Sequence, residues 1–206
     1  MNRVYEVRKQ TNNKYLNIYE FDSVFRDGST GTYFVASRNM EAEKLKAVSH
    51  NTQSDGVIIY SVYGENKDKI VLIRQFRYPI NDYIYEFPAG LVEPGEDIFE
   101  AAVREIYEET GLRFEPKKAP EGYSRPFYTT VGMTDECCGT VYGYCSGIPS
   151  NAGQEGSEDI EIVLADREEC RRILKEENVA IMCAYMLMHF VHSKEGDPLG
   201  FLEETS

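Results

Sequence analysis

The stretch Gly90-Leu-Val-Glu-Pro-Gly-Glu96-Asp-Ile-Phe-Glu-Ala-Ala-Val-Arg104-Glu105-Ile-Tyr-Glu108-Glu109-Thr-Gly111-Leu112 decides how this chain is interpreted. Its second half spaces Glu105, Glu108 and Glu109 so that, in a helix, they share one face. Neighbouring carboxylates repel one another, and a hard divalent cation such as Mg²⁺ or Mn²⁺ relieves that repulsion. The stretch therefore predicts a helix that binds a divalent cation.

Both ends of this helix have sequence signals. Asp97 is suited to the N-cap position, and Glu100, three residues later, completes a capping box. Gly111 stands where a left-handed residue ends a helix. Apolar residues repeat every four positions and predict the buried stripe, which consists of Ile98, Ala102 and Ile106. The spacing predicts that the carboxylates lie away from this stripe.

Taken alone, the acidic cluster is also compatible with a solvated helix face. The wider arrangement is more specific: Gly90, five residues, Glu96, seven residues, Arg104-Glu105, an aliphatic residue, any residue, Glu108-Glu109, any residue, Gly111 and an aliphatic residue. These are all the fixed positions of the Nudix box, so the chain resembles the Nudix hydrolases. The resemblance implies an α/β fold, the Nudix α/β/α sandwich with a mixed sheet.

Sequence outside the box is similar to the branch that contains ADP-ribose pyrophosphatases and nucleoside diphosphate sugar hydrolases. The similar segments are Val71-Leu-Ile-Arg-Gln-Phe-Arg-Tyr-Pro, Glu86-Phe-Pro-Ala-Gly, Val131-Gly-Met-Thr-Asp-Glu and Glu158-Asp-Ile-Glu-Ile. The resemblance implies Mg²⁺-dependent hydrolysis of the pyrophosphate bond of ADP-ribose or a related nucleoside diphosphate sugar, with Mn²⁺ as a substitute. GDP- or UDP-sugars and dinucleoside polyphosphates are alternative substrates, and a ligand-binding domain without catalysis is the alternative from another functional class.

The resemblance also implies roles for particular residues. It implies metal binding by the carbonyl of Ala89 and the carboxylates of Glu105 and Glu109, supported by Glu108 and Glu96. Arg104 is expected to orient a glutamate. The general base of this branch lies on the loop before a late strand, where Glu158 is the first candidate and Glu155 the second.

Substrate contacts are harder to assign from sequence. Arg74 and Arg77 lie three apart on a predicted strand, so their side chains point to opposite faces. Arg74 is the preferred candidate for phosphate contact, with a structural ion pair as the alternative. Arg77 and Glu136 are further substrate-binding candidates.

Composition limits the partners. With 22 basic and 35 acidic residues among 206, the net charge is −13, which argues against nucleic acid or an anionic membrane surface. No apolar run approaches the ~20 residues needed to span a bilayer, and the start of the sequence has no signal-peptide pattern. Five cysteines without zinc-site spacing predict free thiols and a cytoplasmic location.

Three segments are expected: an N-terminal antiparallel β subdomain over 1–50, the Nudix domain over 51–195 and a tail over 196–206. The first is too small to be stable alone. In the branch that the chain resembles, such a sheet is exchanged between subunits, so a homodimer is expected. Further strands are predicted near 15–21, 32–37, 56–63, 69–77, 84–87, 127–131, 138–145 and 158–164, with helices near 167–175 and 179–192. The stretch 113–120 reads as turns.

Overall fold

The computed structural model describes residues 3–154, 156 and 159–203. The chain forms two compact units. The smaller unit takes residues up to Asp55 and adds the later segment Pro126–Cys138. The larger unit is formed by Gly56–Arg125 and by the chain from Gly139 onward.

An antiparallel sheet forms the smaller unit. Its order is β1 (Val4–Lys9), β2 (Asn17–Val24) and β3 (Thr30–Ser37). Every second side chain of β2 is buried, as expected when one face of a strand packs on a core. That core contains Tyr19, Phe21, Val35 and Leu45. A short 3₁₀ helix (Ala42–Lys44) and α1 (Lys46–Ser49) follow.

A buried ion pair connects the later segment to the rest of the smaller unit. The Lys46 ammonium lies 3.1 Å from the Asp55 carboxylate and donates to the Gln53 carbonyl. Asp55 also accepts from the backbone N–H of Cys137, and Asp135 accepts from the backbone N–H of Lys46. Burial opposes the charge of Lys46, but the hydrogen bond and charge of Asp55 outweigh it and raise its pKa.

A mixed sheet forms the centre of the larger unit. Its main order is β11-β5-β4-β10-β8, with β6 paired to β5, β7 to β4 and β9 to β10. The strands are β4 (Gly56–Tyr63), β5 (Lys69–Arg77), β6 (Asp82–Glu86), β7 (Ala89–Leu91), β8 (Arg113–Lys117), β9 (Phe127–Tyr128), β10 (Cys137–Ser146) and β11 (Ile160–Ala165). β9 and the first two residues of β10 belong to the smaller unit.

Helices cover both faces of this sheet. The helices are α2 (Ile98–Thr110), α3 (Arg167–Glu176) and α4 (Ile181–His192). Val57 and Ile59 of β4 pack in one cluster with Ala102 and Ile106 of α2. The alternating residues Tyr60 and Val62 pack instead in a cluster that includes residues of α3 and α4. The expected α/β/α sandwich with a small N-terminal antiparallel sheet is confirmed.

Several segments differ from the sequence expectation, among them β1, the first 3₁₀ helix and α1, which were not predicted. Residues 113–117, predicted as turns, form strand β8 with a proline at position 116. β8 ends the strand order, and an edge strand tolerates a residue that cannot donate a ladder hydrogen bond. Near the end of the chain, Gly200–Leu202 forms a 3₁₀ helix, and Leu199 and Leu202 are buried.

The structure also bears on the membrane question. None of the helices in the described ranges combines the length and the apolar character that crossing a bilayer requires.

Candidate active site

Helix α2 carries the acidic cluster, and its ends have the predicted caps. The Asp97 carboxylate accepts hydrogen bonds from the N–H groups of Phe99 and Glu100, and the Glu100 side chain accepts from the N–H of Asp97. Gly111 has a φ of 68°, and its N–H donates to the Tyr107 carbonyl. The predicted start and end of this helix are confirmed.

Arg104 lies among the carboxylates and uses all five of its N–H groups. Two of them donate to Glu96, each at 2.9 Å, which is the bidentate arrangement. A third donates to Glu105 at 2.7 Å and a fourth to Glu108 at 3.0 Å. The fifth donates to the Leu91 carbonyl at 3.0 Å. One guanidinium therefore holds three carboxylates in fixed positions.

Charge pairing shifts the ionisation of this group. The hydrogen bonds from Arg104 and, secondarily, from the N–H of Glu93 lower the pKa of Glu96. The hydrogen bond to Glu96, opposed by burial and reinforced by Glu105, raises the pKa of Arg104. Glu96 therefore remains an anion and Arg104 a cation at neutral pH.

Glu109 is more buried than the sequence pattern predicted. It is only 4% exposed, although the spacing predicted a carboxylate face turned away from the core. One carboxylate oxygen accepts from the N–H of Ala89 at 3.3 Å. The expectation that the carboxylates lie away from the apolar stripe is wrong for this residue, because Glu109 follows Ile106 by three residues and so shares its buried face, against β7.

Gly90 allows the close approach of strand β7 to the acidic helix. A Cβ at Gly90 would lie 1.9 Å from the Cδ atom of Glu105. Any larger residue would displace that carboxylate. The sequence motif includes Gly90, but its physical role is evident only from the packed helix and strand.

A cleft of about 470 Å³ opens between β7, the loop after it and α2. Its lining is Ala89, Gly90, Leu91, Val92, Glu93, Pro94, Arg104, Glu105, Glu108 and Glu109. Carboxylate and carbonyl oxygens are the donor set that hard divalent cations prefer. Within the described ranges, no three His, Cys, Asp or Glu side chains are grouped as a ready-made metal cage. The carboxylates of Glu105 and Glu108 in this lining, together with that of Glu96, instead bind the Arg104 cation. The cluster therefore already binds positive charge.

The two arginines on β5 form ion pairs. Arg74 contacts Glu161 at 3.1 Å, and its guanidinium lies 4.1 Å from the centre of the Tyr83 ring. Arg77 pairs with Glu86. Neither arginine lines the acidic cleft. Their substrate-binding roles stay predictions.

Glu136 belongs to the smaller unit, where it pairs with Arg38 and accepts from the Thr129 hydroxyl. Glu155 and Glu158, the candidate bases, lie outside the described residues. Gln154 was not among the candidates from sequence, and its side-chain amide donates to the Glu109 carbonyl at 2.8 Å.

The cysteines form no second reactive site. All five are free thiols, as predicted. Burial raises the pKa of Cys138 to about 12 and that of Cys145 to about 11. Thiols with such values are protonated at neutral pH and are poor nucleophiles.

Comparison with known proteins identifies the family. The NUDIX domain profile matches residues 52–177, which is more than half of the chain. A methanol dehydrogenase activator from Bacillus methanolicus is 30% identical over 142 residues, covering 68% of this chain and 72% of the relative. The chain therefore belongs to the Nudix hydrolase family, whose members generally use divalent metal ions and act on nucleotide derivatives.

Two further comparisons concern the branch and the fold. An ADP-ribose pyrophosphatase from Bacillus subtilis is 38% identical over 98 residues, 48% of each chain. The crystal structure of an ADP compounds hydrolase superposes with a TM-score of 0.59 at 18% identity, covering 84% of this chain and 82% of the other. At that identity the superposition supports the fold.

The contact of Gly90 with Glu105 gives the first prediction. Gly90→Ala should weaken the binding of a divalent cation, with Mg²⁺ as the probe, by about 10–100-fold, the usual cost of disturbing groups that orient metal ligands. Isothermal titration of the purified protein with MgCl₂ measures this. Gly132→Ala is the control, since a Cβ there meets no atom within 4 Å. Equal Mg²⁺ affinity in both variants and the parent would contradict the role assigned to Gly90.

Proposed function

We propose that this protein is a Mg²⁺-dependent hydrolase of the pyrophosphate bond in ADP-ribose or a related nucleoside diphosphate sugar. The products are a nucleoside monophosphate and a sugar phosphate. The observation that carries the proposal is the cluster of Glu96, Glu105 and Glu108 around Arg104, with the buried Glu109 beside the backbone of Ala89.

Metal binding is assigned to the carbonyl of Ala89 and to Glu105 and Glu109, supported by Glu108 and Glu96. Bound divalent ions would neutralise phosphate oxygens and would make a nearby water easier to deprotonate. Glu105 and Glu109 supply negative charge that attracts these ions. Arg104 fixes the rotamer of Glu105 through its 2.7 Å hydrogen bond, so less ordering is needed when the ion binds.

Proton removal and substrate contact complete the mechanism. Glu158 is assigned as the general base that accepts the proton of the attacking water, with Glu155 as the second candidate. Arg74 is assigned to a phosphate oxygen, for which it would have to exchange its contact with Glu161. Arg77 and Glu136 are assigned to other parts of the substrate.

The choice of substrate rests on relatives. The Bacillus subtilis protein is named an ADP-ribose pyrophosphatase, and a mouse protein 50% identical over 46 residues is named an ADP-sugar pyrophosphatase. The test is turnover of purified protein with Mg²⁺ on ADP-ribose, ADP-, GDP- and UDP-sugars and dinucleoside polyphosphates. Preference for a substrate outside the ADP series would overturn the substrate assignment. Binding without turnover of any of them would overturn the enzymatic proposal.

Glu109→Gln tests the metal assignment. The change keeps an oxygen that accepts from Ala89 but removes a charge at the proposed metal site. Turnover of ADP-ribose should be abolished even in saturating Mg²⁺, while the free energy of unfolding without metal holds or rises because carboxylate repulsion falls. Glu100→Gln makes the same chemical change in the first turn of the helix and should retain parent activity. A parent rate for Glu109→Gln would refute the assignment.

Glu158→Gln tests the base. Loss of a general base lowers kcat by ~10²–10⁴-fold, and we expect KM to change little. Glu155→Gln, measured beside it, should remain near the parent rate. The opposite result would exchange the two roles. Parent rates for both variants would refute a base on this loop.

We propose a homodimer that depends on the smaller unit. Its exposed apolar side chains include Phe34 at 57%, Val131 at 67% and Met133 at 67%. Exposed apolar groups of this kind mark interaction surfaces.

The free thiols also agree with the proposed cytoplasmic location.

Deletion of residues 1–50 tests the proposed dimer. It removes the sheet while leaving Val131 and Met133 in the chain, so the product should aggregate or lose activity. Light scattering during size-exclusion chromatography should give twice the chain mass for the intact protein. A soluble, active monomer after the deletion would refute the proposal.

A further inference from the structure

The last turn of α2 is stabilised by a segment distant in sequence. The final carbonyls of a helix have no partner within it, so they need hydrogen bonds from elsewhere. The N–H of Gly111 satisfies the Tyr107 carbonyl locally. Two further bonds come from the loop after β10. The N–H of Ser150 donates to the Thr110 carbonyl, and the side-chain amide of Gln154 donates to the Glu109 carbonyl, each at 2.8 Å.

Tight packing accompanies these hydrogen bonds. A Cβ at Gly153 would lie 2.8 Å from the Glu108 carbonyl oxygen and 3.2 Å from its Cα. A Cβ at Gly111 would lie 2.8 Å from the Cβ of Ser150. The loop therefore lies directly against the backbone of the two glutamates that end the acidic cluster.

We propose that Gln154 is a positioning residue of the metal site. Its amide caps the carbonyl of Glu109 and holds the last helical turn, so the Glu109 carboxylate keeps its spacing from Glu105 and from the backbone of Ala89. This role rests on the metal site proposed above. Gln154 acts through Glu109 and does not itself contact the reacting atoms.

The physical reason is preorganisation. Helix ends fray, and a frayed last turn would leave Glu109 to be ordered when the ion binds. A side-chain donor on the Glu109 carbonyl removes that ordering from the binding step. Its loss should therefore weaken ion binding without changing the charge of the site.

The test is Mg²⁺ affinity without substrate, measured by isothermal titration for Gln154→Ala. The loss of one neutral hydrogen bond predicts an affinity about 3–10-fold weaker. Hydrogen exchange at the N–H of Gly111 should become faster. With substrate, kcat should fall at subsaturating Mg²⁺ and return to the parent value in excess Mg²⁺, which a general loss of stability would not produce.

Gly153→Ala and Gly156→Ala form a matched pair on the same loop. The first forces a Cβ against Glu108 and should weaken Mg²⁺ binding; the second meets no atom within 4 Å and should leave it unchanged. If Gln154→Ala fails to fold, Gln154→Met replaces it, since it keeps the length of the side chain, adds no charge and loses the donor. Unchanged Mg²⁺ affinity in the Gln154 and Gly153 variants, with only a lower Tm, would overturn the proposal.

Glu109→Gln separates this proposal from the one it rests on. If Glu109→Gln leaves Mg²⁺ affinity unchanged, the metal assignment fails, and the role of Gln154 fails with it. If Glu109→Gln weakens binding but Gln154→Ala does not, only the role of Gln154 is overturned.

Discussion

The hydrogen bonds of Arg104 are the constraint on which the site depends. Carboxylates on neighbouring turns of one helix destabilise it unless their charge is balanced. Arg104 balances them from within, donating to Glu96, Glu105 and Glu108 and to one backbone carbonyl. A lysine would supply the charge but not the fixed directions of the guanidinium donors. The arrangement can therefore remain ordered before any ion binds, and the ion meets carboxylates that are already oriented.

The fold supports this cluster by bringing a strand and a helix unusually close. Ala101 and Ala102 on α2 are fully buried and join the cluster that contains Val57 and Val71. Small side chains let the helix lie near the sheet, and Gly90 lets β7, which pairs with β4, approach Glu105 closely. Glu109 can then be both buried and bonded to the backbone of Ala89. Packing, rather than helix propensity, therefore sets the distance between the carboxylates of Glu105 and Glu109 and the backbone of Ala89.

Features fixed by local sequence were predictable, and features fixed by distant segments were not. The capping box of Asp97 and the left-handed Gly111 depend on neighbours within four residues, so the sequence identified them. The α/β/α sandwich was predictable from the order of strands and helices and from the Nudix box, whose family fold is known. The burial of Glu109 and the contact from Gln154 depend on chain segments 20 and 45 residues away. Strand β8 was missed because Pro116 suggests a turn until its edge position is known.

The smaller unit is built from two separate segments of the chain. This arrangement affects how the chain can fold during synthesis. Its sheet is complete by Ser37, but Asp135 and Cys137, which bond the backbone N–H of Lys46 and the carboxylate of Asp55, lie 89 and 82 residues after those partners. The ammonium of Lys46 bonds to nearer residues, Gln53 and Asp55, so the late bonds are those of the Lys46 backbone N–H and of the Asp55 carboxylate. Contacts between distant segments form slowly because loop closure must precede them. The smaller unit therefore reaches its final structure only after the segment around Asp135 and Cys137 has been synthesised.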